Sequence, residues 1–387
     1  MEDLYIYNGT IITPFEQLKD HAILVSNGKI RSVDLKEKST PPGAKEIDAG
    51  GNYIVPGFID VHVHGGGGAD TMDGSVEAIS RIARIHCRYG TTSFLPTTMT
   101  VAKDCIESSL AAVKEASIKG TKGAQILGIH LEGPFINEMM KGAQNSKYIE
   151  APDVTLMKHF YKASGGFIKI VTLAPELQDS RELISWLCSN NIIASAGHTN
   201  AVYEEIEDAV KSGLSHVTHT FNAMTGLHHR KPGVVGAALV FPELAVELIA
   251  DGIHVHPAVM RIIVNAKGKD KVILITDAIG ATGLPPGSYD LGGQEAIASK
   301  TKAILKDGTL AGSVLTMNIA VKNMIYKVGV PLGDAICMAT HNPAKCIGME
   351  NAKGTIAPGK DADIIILDKK FENQKTIVKG EIVYSKK

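Results

Sequence analysis

The sequence predicts an α/β fold: a (β/α)8 TIM-like barrel joined to a small β-sandwich that is built from both chain termini. Three observations lead to this prediction. Apolar runs of strand length recur eight times with helical segments between most of them, and short alternating runs occupy both ends of the chain. The 387 residues, 44% of them hydrophobic, also suffice for a large barrel and a smaller unit. An open doubly wound sheet is the alternative architecture.

Both ends of the chain carry the alternating pattern of short strands. The runs LYIYNGTII and HAILVSNGKIRSV lie near the start, and ADIIILD, KTIVKG and EIVYS lie near the end. An Asn-Gly pair at positions 8 and 9 favours a tight turn. We therefore expect residues 1–56 and 357–387 to pair as the β-sandwich, and residues 57–356 to form the barrel.

Eight apolar segments are predicted to be the strands of the barrel. They are FIDVHV (58–63), TSFLPT (92–97), ILGIHL (126–131), FIKIVTL (167–173), IIASAG (192–197), SHVTHT (215–220), AVELIA (245–250) and KVILIT (271–276). Helical periodicity is clear from Ser75 to Tyr89, with Gly90 as a stop, and again from Tyr203 to Val210. Eight such units closing on themselves need roughly 250 residues, which fits the central segment.

Charge and cysteine content restrict the partners and the compartment. Forty basic and 41 acidic residues leave a formal charge of -1, so no global field favours nucleic acid or an anionic membrane. The start, MEDLYIYNGT, lacks the features of a signal peptide, and no apolar run of about 18 residues follows. Widely spaced cysteines without a CxxC pair indicate free thiols in a reducing compartment. They are Cys87, Cys105, Cys188, Cys337 and Cys346. We expect a cytoplasmic protein.

Polar residues of metal-binding type follow several predicted strands, at the end where barrel enzymes build active sites. They are His62, His64, Glu132, His198, His219 and Asp277. His62 and His64 occupy alternate positions of one strand, so both imidazoles face the same side and can bind one cation. Alone, an HxH pair is more often structural, and a lone strand-end glutamate is more often solvated. Their convergence from five strands favours a metal site.

This convergence has a chemical purpose. A divalent cation with nitrogen and oxygen ligands and one open position lowers the pKa of a bound water to about 7, which provides a hydroxide nucleophile. Asp277, at the end of the last strand, is placed to take the water proton during attack and to give it to the leaving nitrogen. The residues therefore predict a metal-dependent hydrolase.

Sequence motifs add a family resemblance. The segment PGFIDVHVHG, with the flanking β segments, resembles the amidohydrolase superfamily, in which an HxH pair, a ligand on strand 3 or 4, two later histidines and an aspartate hold one or two metals. Further motifs resemble its deacetylases of phosphorylated amino sugars: HLEGPF, KGAQ, AGHT, THTFNAM, GLHHRKPG, ADGIHV, TDAIGATG and DGTLAGS. The resemblance implies hydrolysis of the N-acetyl amide of N-acetylglucosamine 6-phosphate to glucosamine 6-phosphate and acetate.

The resemblance also implies the roles of the metal-site residues. Glu132, His198 and His219 would be the core ligands, and the HxH pair would complete a second site that Glu132 bridges. Asp277 would be the catalytic acid and base and a further ligand. One or two divalent ions per subunit are implied, with zinc or iron as the first candidates and other divalent ions left open.

A substrate-binding set follows from the same resemblance. It comprises Gln144, Asn222, Ala223, His228, Arg230, His254, Leu310, Ala311 and Gly312. Arg230 would bind the phosphate, within its subunit or across a homodimer interface, although the HHRK run by itself would be an ordinary solvated loop. His254 would contact the sugar or polarise the amide carbonyl, and residues 310–312 would line the acetyl or sugar pocket. Gln144 stands where some relatives carry histidine, and either side chain can hydrogen-bond sugar oxygens.

Two other functions compete with this interpretation. A dihydroorotase-like or N-acyl-amino-acid enzyme often carries a carboxylated lysine after strand 4, whereas that strand here ends in the sequence LAPE without a lysine. A non-catalytic assembly protein on the same barrel would be expected to lose ligands, and none is missing from the sequence.

Overall fold

The first part of the chain forms short strands with the predicted alternation of apolar and polar residues. The structure is a computed structural model that describes residues 2–36 and 40–386, so residues 1, 37–39 and 387 of the predicted terminal unit lie outside the described residues. The strands before the barrel are β1 Leu4–Tyr7, β2 Thr10–Ile12, β3 Gln17–Leu18, β4 His21–Ser26, β5 Lys29–Leu35, β6 Lys45–Asp48 and β7 Tyr53–Pro56.

The central part of the chain alternates between strands and helices. In chain order it contains β8 Phe58–Val63, β9 Gly65–Gly66, β10 Ala69–Asp70, α1 Val76–Cys87, β11 Thr91–Pro96, α2 Lys103–Lys119, β12 Gln125–Ile126, β13 Ile129–Glu132, α3 Val154–Ala163, β14 Ile168–Leu173, α4 Ser180–Ser189, β15 Ile193–Ala196, α5 Tyr203–Lys211, β16 His216–Val217, α6 Gly233–Val240, β17 Ala245–Ile249, α7 Pro257–Lys267 and β18 Val272–Ile275. Each predicted barrel strand overlaps an observed strand.

The remaining elements follow β18 and end in strands that pair with those of the first part of the chain. They are β19 Gly287–Leu291, β20 Gln294–Ala298, β21 Ala303–Ile304, α8 Met317–Asn323, a π-helical turn Met324–Val328, α9 Leu332–Ala339, α10 His341–Cys346, β22 Ile364–Leu367, β23 Asn373–Val378 and β24 Glu381–Ser385. Short 3-10 turns lie at Thr71–Asp73, Glu138–Met140, Ser146–Tyr148 and Lys269–Lys271.

The central strands form curled parallel sheets in sequential order. Strands β13 to β18 pair in succession as one six-stranded sheet, and β8, β11 and β12 form a second parallel sheet. Parallel bridges between Thr97 and His130 and between Val63 and Ala278 connect the two sheets at both edges. The order has no reversal of the kind that defines a doubly wound sheet. The arrangement is therefore consistent with a TIM-like barrel, whose carboxyl strand ends share one face.

Helix α1 shows how the local sequence sets an element's bounds. The Ser75 hydroxyl accepts a hydrogen bond from the Ala78 N–H at 3.2 Å and caps the first turn. Ile79 lies on the buried face of the helix. Gly90 has a φ of 92°, a conformation that glycine adopts at little cost, and it leads the chain into β11. The observed helix lies within the predicted span.

Strands from the two ends of the chain pair with each other. Strand β22 runs antiparallel to β7 within a sheet of order β24-β23-β22-β7-β2-β3, and a separate sheet has the order β5-β4-β1-β6. Apolar side chains from both sheets, including Ile6, Ile23, Ile54 and Ile364, pack in one buried cluster. Hydrophobic burial therefore holds the two ends of the chain together.

An antiparallel sheet made of β19, β20 and β21 interrupts the chain after the last barrel strand, and the sequence analysis did not predict it. Gly292 and Gly293, with φ of 57° and 82°, form the two-residue turn between β19 and β20. Leu291 and Ala296 pack in a buried cluster with Ile279, which follows β18. The sheet therefore lies against the carboxyl-terminal side of the barrel.

The cysteines are free, as their spacing predicted. Within residues 2–36 and 40–386, no helix has both the length and the apolar character that crossing a membrane requires.

Candidate metal centre and active site

The predicted metal ligands lie together at the carboxyl ends of the barrel strands. His62 is in β8, His64 follows that strand, and Glu132 is the last residue of β13. His198 follows the end of β15 and His219 follows the end of β16. All of these side chains are buried, so the strand ends bring residues that are distant in sequence into one enclosed site.

Three of the predicted residues share an uncommon backbone conformation. His198, His219 and Asp277 have φ values of 49°, 27° and 51°. Residues other than glycine rarely adopt positive φ, and such conformations persist where the surrounding structure enforces them, often at functional sites. The turn ends each strand early and directs the side chain into the barrel mouth. Strand β16 stops at Val217, two residues before His219 and short of the predicted strand end.

Glu132 is the centre of the cluster. Its Oε1 lies 3.1 Å from His219 Nε2, 3.2 Å from His198 Nε2 and 3.4 Å from His62 Nε2. Its Oε2 lies 3.3 Å from His64 Nε2. One carboxylate is therefore surrounded by four imidazole nitrogens that come from three strand ends.

Asp277 lies on the other side of the HxH pair. Its Oδ1 is 3.2 Å from His64 Nε2 and 3.4 Å from His62 Nε2. The Asp277 N–H donates to the His62 carbonyl oxygen at 2.9 Å, which links the last strand to the first. The carboxylate is thus held beside both imidazoles at the floor of the site.

Mutual electrostatic interactions set the charges of these groups. Burial lowers the pKa of His62, but the carboxylates of Glu247, Glu132 and Asp277 outweigh burial and raise it to about 9. Burial likewise opposes the charge of His64, yet the hydrogen bonds that its ring donates to Asp277 and Glu132 raise its pKa well above its ordinary value. Burial raises the pKa of Glu132, but the nearby imidazoles hold it well below its usual range. The buried carboxylates therefore require positive charge around them.

The donor atoms fit a divalent cation. Two atoms bound at about 2.1 Å to a tetrahedral metal lie about 3.4 Å apart, close to the separations found here. The ligand atoms of Glu132, His198 and His219 lie within 4.8 Å of one another, and so do those of His62, His64 and Glu132. At His62 and His64 a metal would replace the protons that the carboxylates otherwise hold on the rings. The two sets share Glu132.

A cavity of about 340 Å³ opens above the cluster. Its lining includes most of the predicted substrate residues: Gln144, Asn222, Ala223, His254, Leu310 and Gly312. Ala311 is instead buried behind the lining, in the cluster with Leu291. His228 and Arg230 are exposed on their loop and are not among the residues that line this cavity. Sequence reasoning missed other lining residues, namely Met99, Met139, Met140, Gly142, Ala143, Leu291 and Thr309.

Gln144 contacts the metal cluster as well as the cavity. Its side-chain amide donates to Glu132 Oε2 at 2.6 Å, and its Oε1 accepts from the Thr100 N–H at 2.7 Å. These two bonds fix the orientation of the amide, because oxygen accepts and nitrogen donates. Gln144 therefore holds the second oxygen of Glu132 in addition to facing the cavity.

His254 is oriented by its neighbour Asp251. Its Nδ1 lies 2.6 Å from Asp251 Oδ2, while Asp251 Oδ1 accepts from the backbone N–H groups of Ile253 and His254. Burial lowers the pKa of His254, but the bond to Asp251 outweighs burial and raises it. Because a carboxylate only accepts, Nδ1 carries a proton and Nε2 is left for the cavity.

Two buried carboxylates that sequence reasoning did not select support the site. Glu247 lies in β17 and contacts His62 at 3.0 Å. Asp60 accepts the Thr276 hydroxyl at 2.5 Å, which ties β8 to the residue before Asp277. A charged residue inside an otherwise apolar strand, as in AVELI, was the available signal.

The curled parallel sheets and the site at their carboxyl ends together define a metal-dependent hydrolase. A model of the amidohydrolase family matches residues 53–383, and the chain belongs to that family. The chain is 43% identical over 390 residues to the N-acetylglucosamine-6-phosphate deacetylase of Bacillus subtilis (strain 168), with 100% of this chain and 98% of the relative covered.

Two further relatives extend the comparison. The N-acetylgalactosamine-6-phosphate deacetylase of Escherichia coli O157:H7 is 35% identical over 372 residues, which cover 96% of this chain and 97% of the relative. The crystal structure of N-acetylglucosamine-6-phosphate deacetylase from Pasteurella multocida has a TM-score of 0.94 and 32% identity, with 99% of this chain and 100% of that chain covered.

Glu132 belongs to both candidate ligand sets, so its substitution should change the metal content of the protein. Glu132→Gln should weaken metal binding by both ligand sets, because it removes the one carboxylate that the two sets have in common. Elemental analysis after desalting should find well below one metal ion per chain. Glu182→Gln, which removes an exposed carboxylate of α4, is the matched control and should keep the wild-type content. Wild-type content in Glu132→Gln would contradict the shared-ligand role.

Proposed function

We propose that this chain hydrolyses the N-acetyl amide of N-acetylglucosamine 6-phosphate to glucosamine 6-phosphate and acetate, a step of amino-sugar catabolism. The observation that carries the proposal is the complete ligand cluster around Glu132, at the floor of a cavity with His254 in its wall. The 43% identity to the Bacillus subtilis deacetylase along the full chain supports the choice of substrate.

The metal sites follow from the two ligand sets. Glu132, His198 and His219 would hold one divalent ion, and His62 and His64 would hold a second with Glu132 shared. A divalent ion supplies Lewis acidity and lowers the pKa of water near it toward neutrality. Zinc and iron are the first candidates, because imidazole and carboxylate ligands suit both.

The chain's own residues move the proton and orient the substrate. Asp277, held beside the HxH imidazoles, takes a proton from the attacking water and returns it to the amide nitrogen as the C–N bond breaks. His254, fixed by Asp251, presents its Nε2 side to the cavity, and in its doubly protonated form it donates from Nε2 and polarises the amide carbonyl. Leu310 and Gly312 border the same cavity and would contact the acetyl group or the sugar.

The phosphate would be bound at the edge of the cavity. Asn222 and Ala223 line it, whereas Arg230 and His228 lie on an exposed loop outside it. We therefore place Arg230 at the phosphate of the neighbouring subunit in a homodimer, where its guanidinium forms charge-assisted bonds.

The proposal includes the organisation of the chain and its setting. Residues 57–356 would form a closed (β/α)8 barrel, and residues 1–56 with 357–387 would form a β-sandwich. The pairing of β22 with β7 supports this division. We further propose a cytoplasmic enzyme whose partners are the sugar phosphate and a second copy of the chain, without nucleic acid or membrane. The formal charge of -1 supports the proposal that neither nucleic acid nor a membrane is a partner.

Acetate release tests the function directly. Purified protein reconstituted with zinc or iron should release acetate and glucosamine 6-phosphate in equal amounts from N-acetylglucosamine 6-phosphate, because the site supplies both nucleophile and proton donor. The same protein treated with a chelator is the control, and N-acetylgalactosamine 6-phosphate tests breadth at the sugar. Metal-replete protein that releases no acetate from the glucosamine derivative would refute the proposal.

Asp277→Asn tests the proton transfer. We expect kcat to fall about 10²- to 10⁴-fold, the usual contribution of a general acid and base, while metal stays bound by Glu132, His198 and His219. Turnover and elemental analysis on the same preparation check both parts. Asp270→Asn, at an exposed position, is the matched control. Loss of the metal together with activity would show that Asp277 acts chiefly as a ligand.

Arg230→Ala tests the phosphate site. KM for N-acetylglucosamine 6-phosphate should rise about tenfold or more, because a hydrogen bond between charged groups is worth about 1.5–3 kcal/mol. KM for unphosphorylated N-acetylglucosamine should change little. Lys231→Ala, which removes the next cation of the same loop, should have a smaller effect. Equal effects of Arg230→Ala on both substrates would exclude the phosphate assignment.

A further inference from the structure

Glu247 is a charged residue in the interior of the barrel. It lies in β17 between Val246 and Leu248, with neighbouring strands on both sides, and its side chain is 0% exposed. Burying an ionised carboxylate costs several kcal/mol unless hydrogen bonds and opposite charge compensate for it. Its presence in an apolar strand therefore calls for a function that an apolar residue could not perform.

The contacts of Glu247 reach both candidate metal-ligand sets. Its Oε2 lies 3.0 Å from His62 Nδ1 and accepts a hydrogen bond from the His219 backbone N–H, also at 3.0 Å. Its backbone carbonyl accepts from the Thr220 N–H at 3.0 Å. His62 belongs to the set with His64, and His219 belongs to the set with His198. One residue thus contacts a ligand from each set, on the side away from Glu132.

The contact with His62 determines the tautomer of that ring. A carboxylate only accepts hydrogen bonds, so Nδ1 of a neutral His62 must carry the proton. The lone pair then lies on Nε2, the atom that faces Glu132 and Asp277. A histidine ligand whose second nitrogen is held by a carboxylate is oriented and made more basic, which strengthens metal binding.

The contacts with the following strand end support the backbone of the other ligand. His219 has a φ of 27°, a conformation that costs energy for any residue except glycine. The Glu247 carboxylate and carbonyl bind the N–H groups of His219 and Thr220 in succession. These two bonds satisfy the backbone of the strained turn and direct the His219 ring toward Glu132.

Direct metal binding by Glu247 is the alternative, because the donor atoms of His62, His130 and Glu247 also lie within 4.8 Å of one another. Both ring nitrogens of His130 are already engaged, Nδ1 with the Val61 carbonyl at 3.0 Å and Nε2 with the Thr172 hydroxyl at 2.7 Å. A metal there would need to break these bonds and the bond between Glu247 and His62. The contacts therefore favour a Glu247 that holds the metal ligands by hydrogen bonds and does not itself bind metal.

We propose that Glu247 is a positioning residue for both metal sites, which fixes the tautomer of His62 and the left-handed turn at His219. The inference rests on the proposed metal-dependent function and adds a determinant of how many metals the chain holds. The HxH set depends on Glu247 through a ligand side chain, whereas the other set depends on it through a backbone contact alone. Loss of Glu247 should therefore weaken the HxH set more.

Glu247→Gln is the main test, since it keeps the side-chain volume and removes the charge. The glutamine amide can donate to His62 Nδ1, which would move the proton to Nε2 and block the ligand atom. In titrations of the zinc-loaded protein with a competing chelator, we expect the weaker-bound zinc to show a dissociation constant about 10- to 100-fold higher than in wild type. The more tightly bound zinc should change less.

Glu243→Gln is the matched control, because it removes an exposed carboxylate just before the same strand and should leave both zinc affinities unchanged. Glu247→Asp keeps the charge with a shorter reach and should give an intermediate affinity. Wild-type zinc affinities in both Glu247 variants would overturn the proposal. A zinc ion beyond two per chain in wild type that disappears in Glu247→Gln would also overturn it, because Glu247 would then be a ligand.

The tautomer of the His62 ring can be measured without enzyme activity. A purely structural role of Glu247 would not change this tautomer. Nitrogen NMR of the zinc-loaded wild type should show the proton of His62 on Nδ1, with a changed pattern in Glu247→Gln. If the variants fail to fold, the wild-type measurement still decides, since a His62 ring without a proton on Nδ1 would overturn the proposal. Failure of the proposed function would appear separately, as zinc-loaded wild type that releases no acetate.

Discussion

The buried carboxylate of Glu132 is the interaction on which the rest of the site depends. It is 2% exposed, and four imidazole nitrogens lie within 3.4 Å of its two oxygens. A lone buried carboxylate would be costly, and so would four buried imidazoles without acceptors. Each group is tolerated because the others are present. The strand ends that supply them meet at one point, at the carboxyl ends of the parallel sheets.

The curled parallel sheets bring the strand ends that carry the ligands to one face. The turns after these strands direct the ligand side chains into the site. A second layer of polar contacts holds the turns. Glu176 accepts from the Thr199 hydroxyl at 2.5 Å and the Asn200 N–H at 2.7 Å, directly after His198. Glu247 has the corresponding role beside His219. Two of the three strained ligand positions, His198 and His219, thus have a supporting carboxylate next to their turn, which helps to maintain positive φ values without glycine.

Sequence predicted the elements whose signal is local. Apolar runs gave the barrel strands, and polar residues at their ends gave the metal ligands, because parallel strands bring their carboxyl ends to one face. The role of Glu247 was not predicted because its partner, His62, is 185 positions away in the sequence. Only the folded structure brings the two side chains together. The sheet of β19 to β21 was missed although Gly292 and Gly293 marked its turn. The position of Arg230 outside the cavity also depends on tertiary structure, because the HHRK pattern does not indicate which residues lie near it in the fold.

The negative charge of the whole site, and not only its set of ligand atoms, affects how metal binds there. Glu132, Asp277 and Glu247 place three buried carboxylates around the same imidazoles. Protons on the imidazoles can balance them, as the pKa of about 9 for His62 indicates, and so can divalent cations. Because His62 and His64 face Glu132 and Asp277 with the nitrogens a metal would bind, protons and metal compete for the same atoms. Metal binding at these atoms therefore requires the loss of their protons.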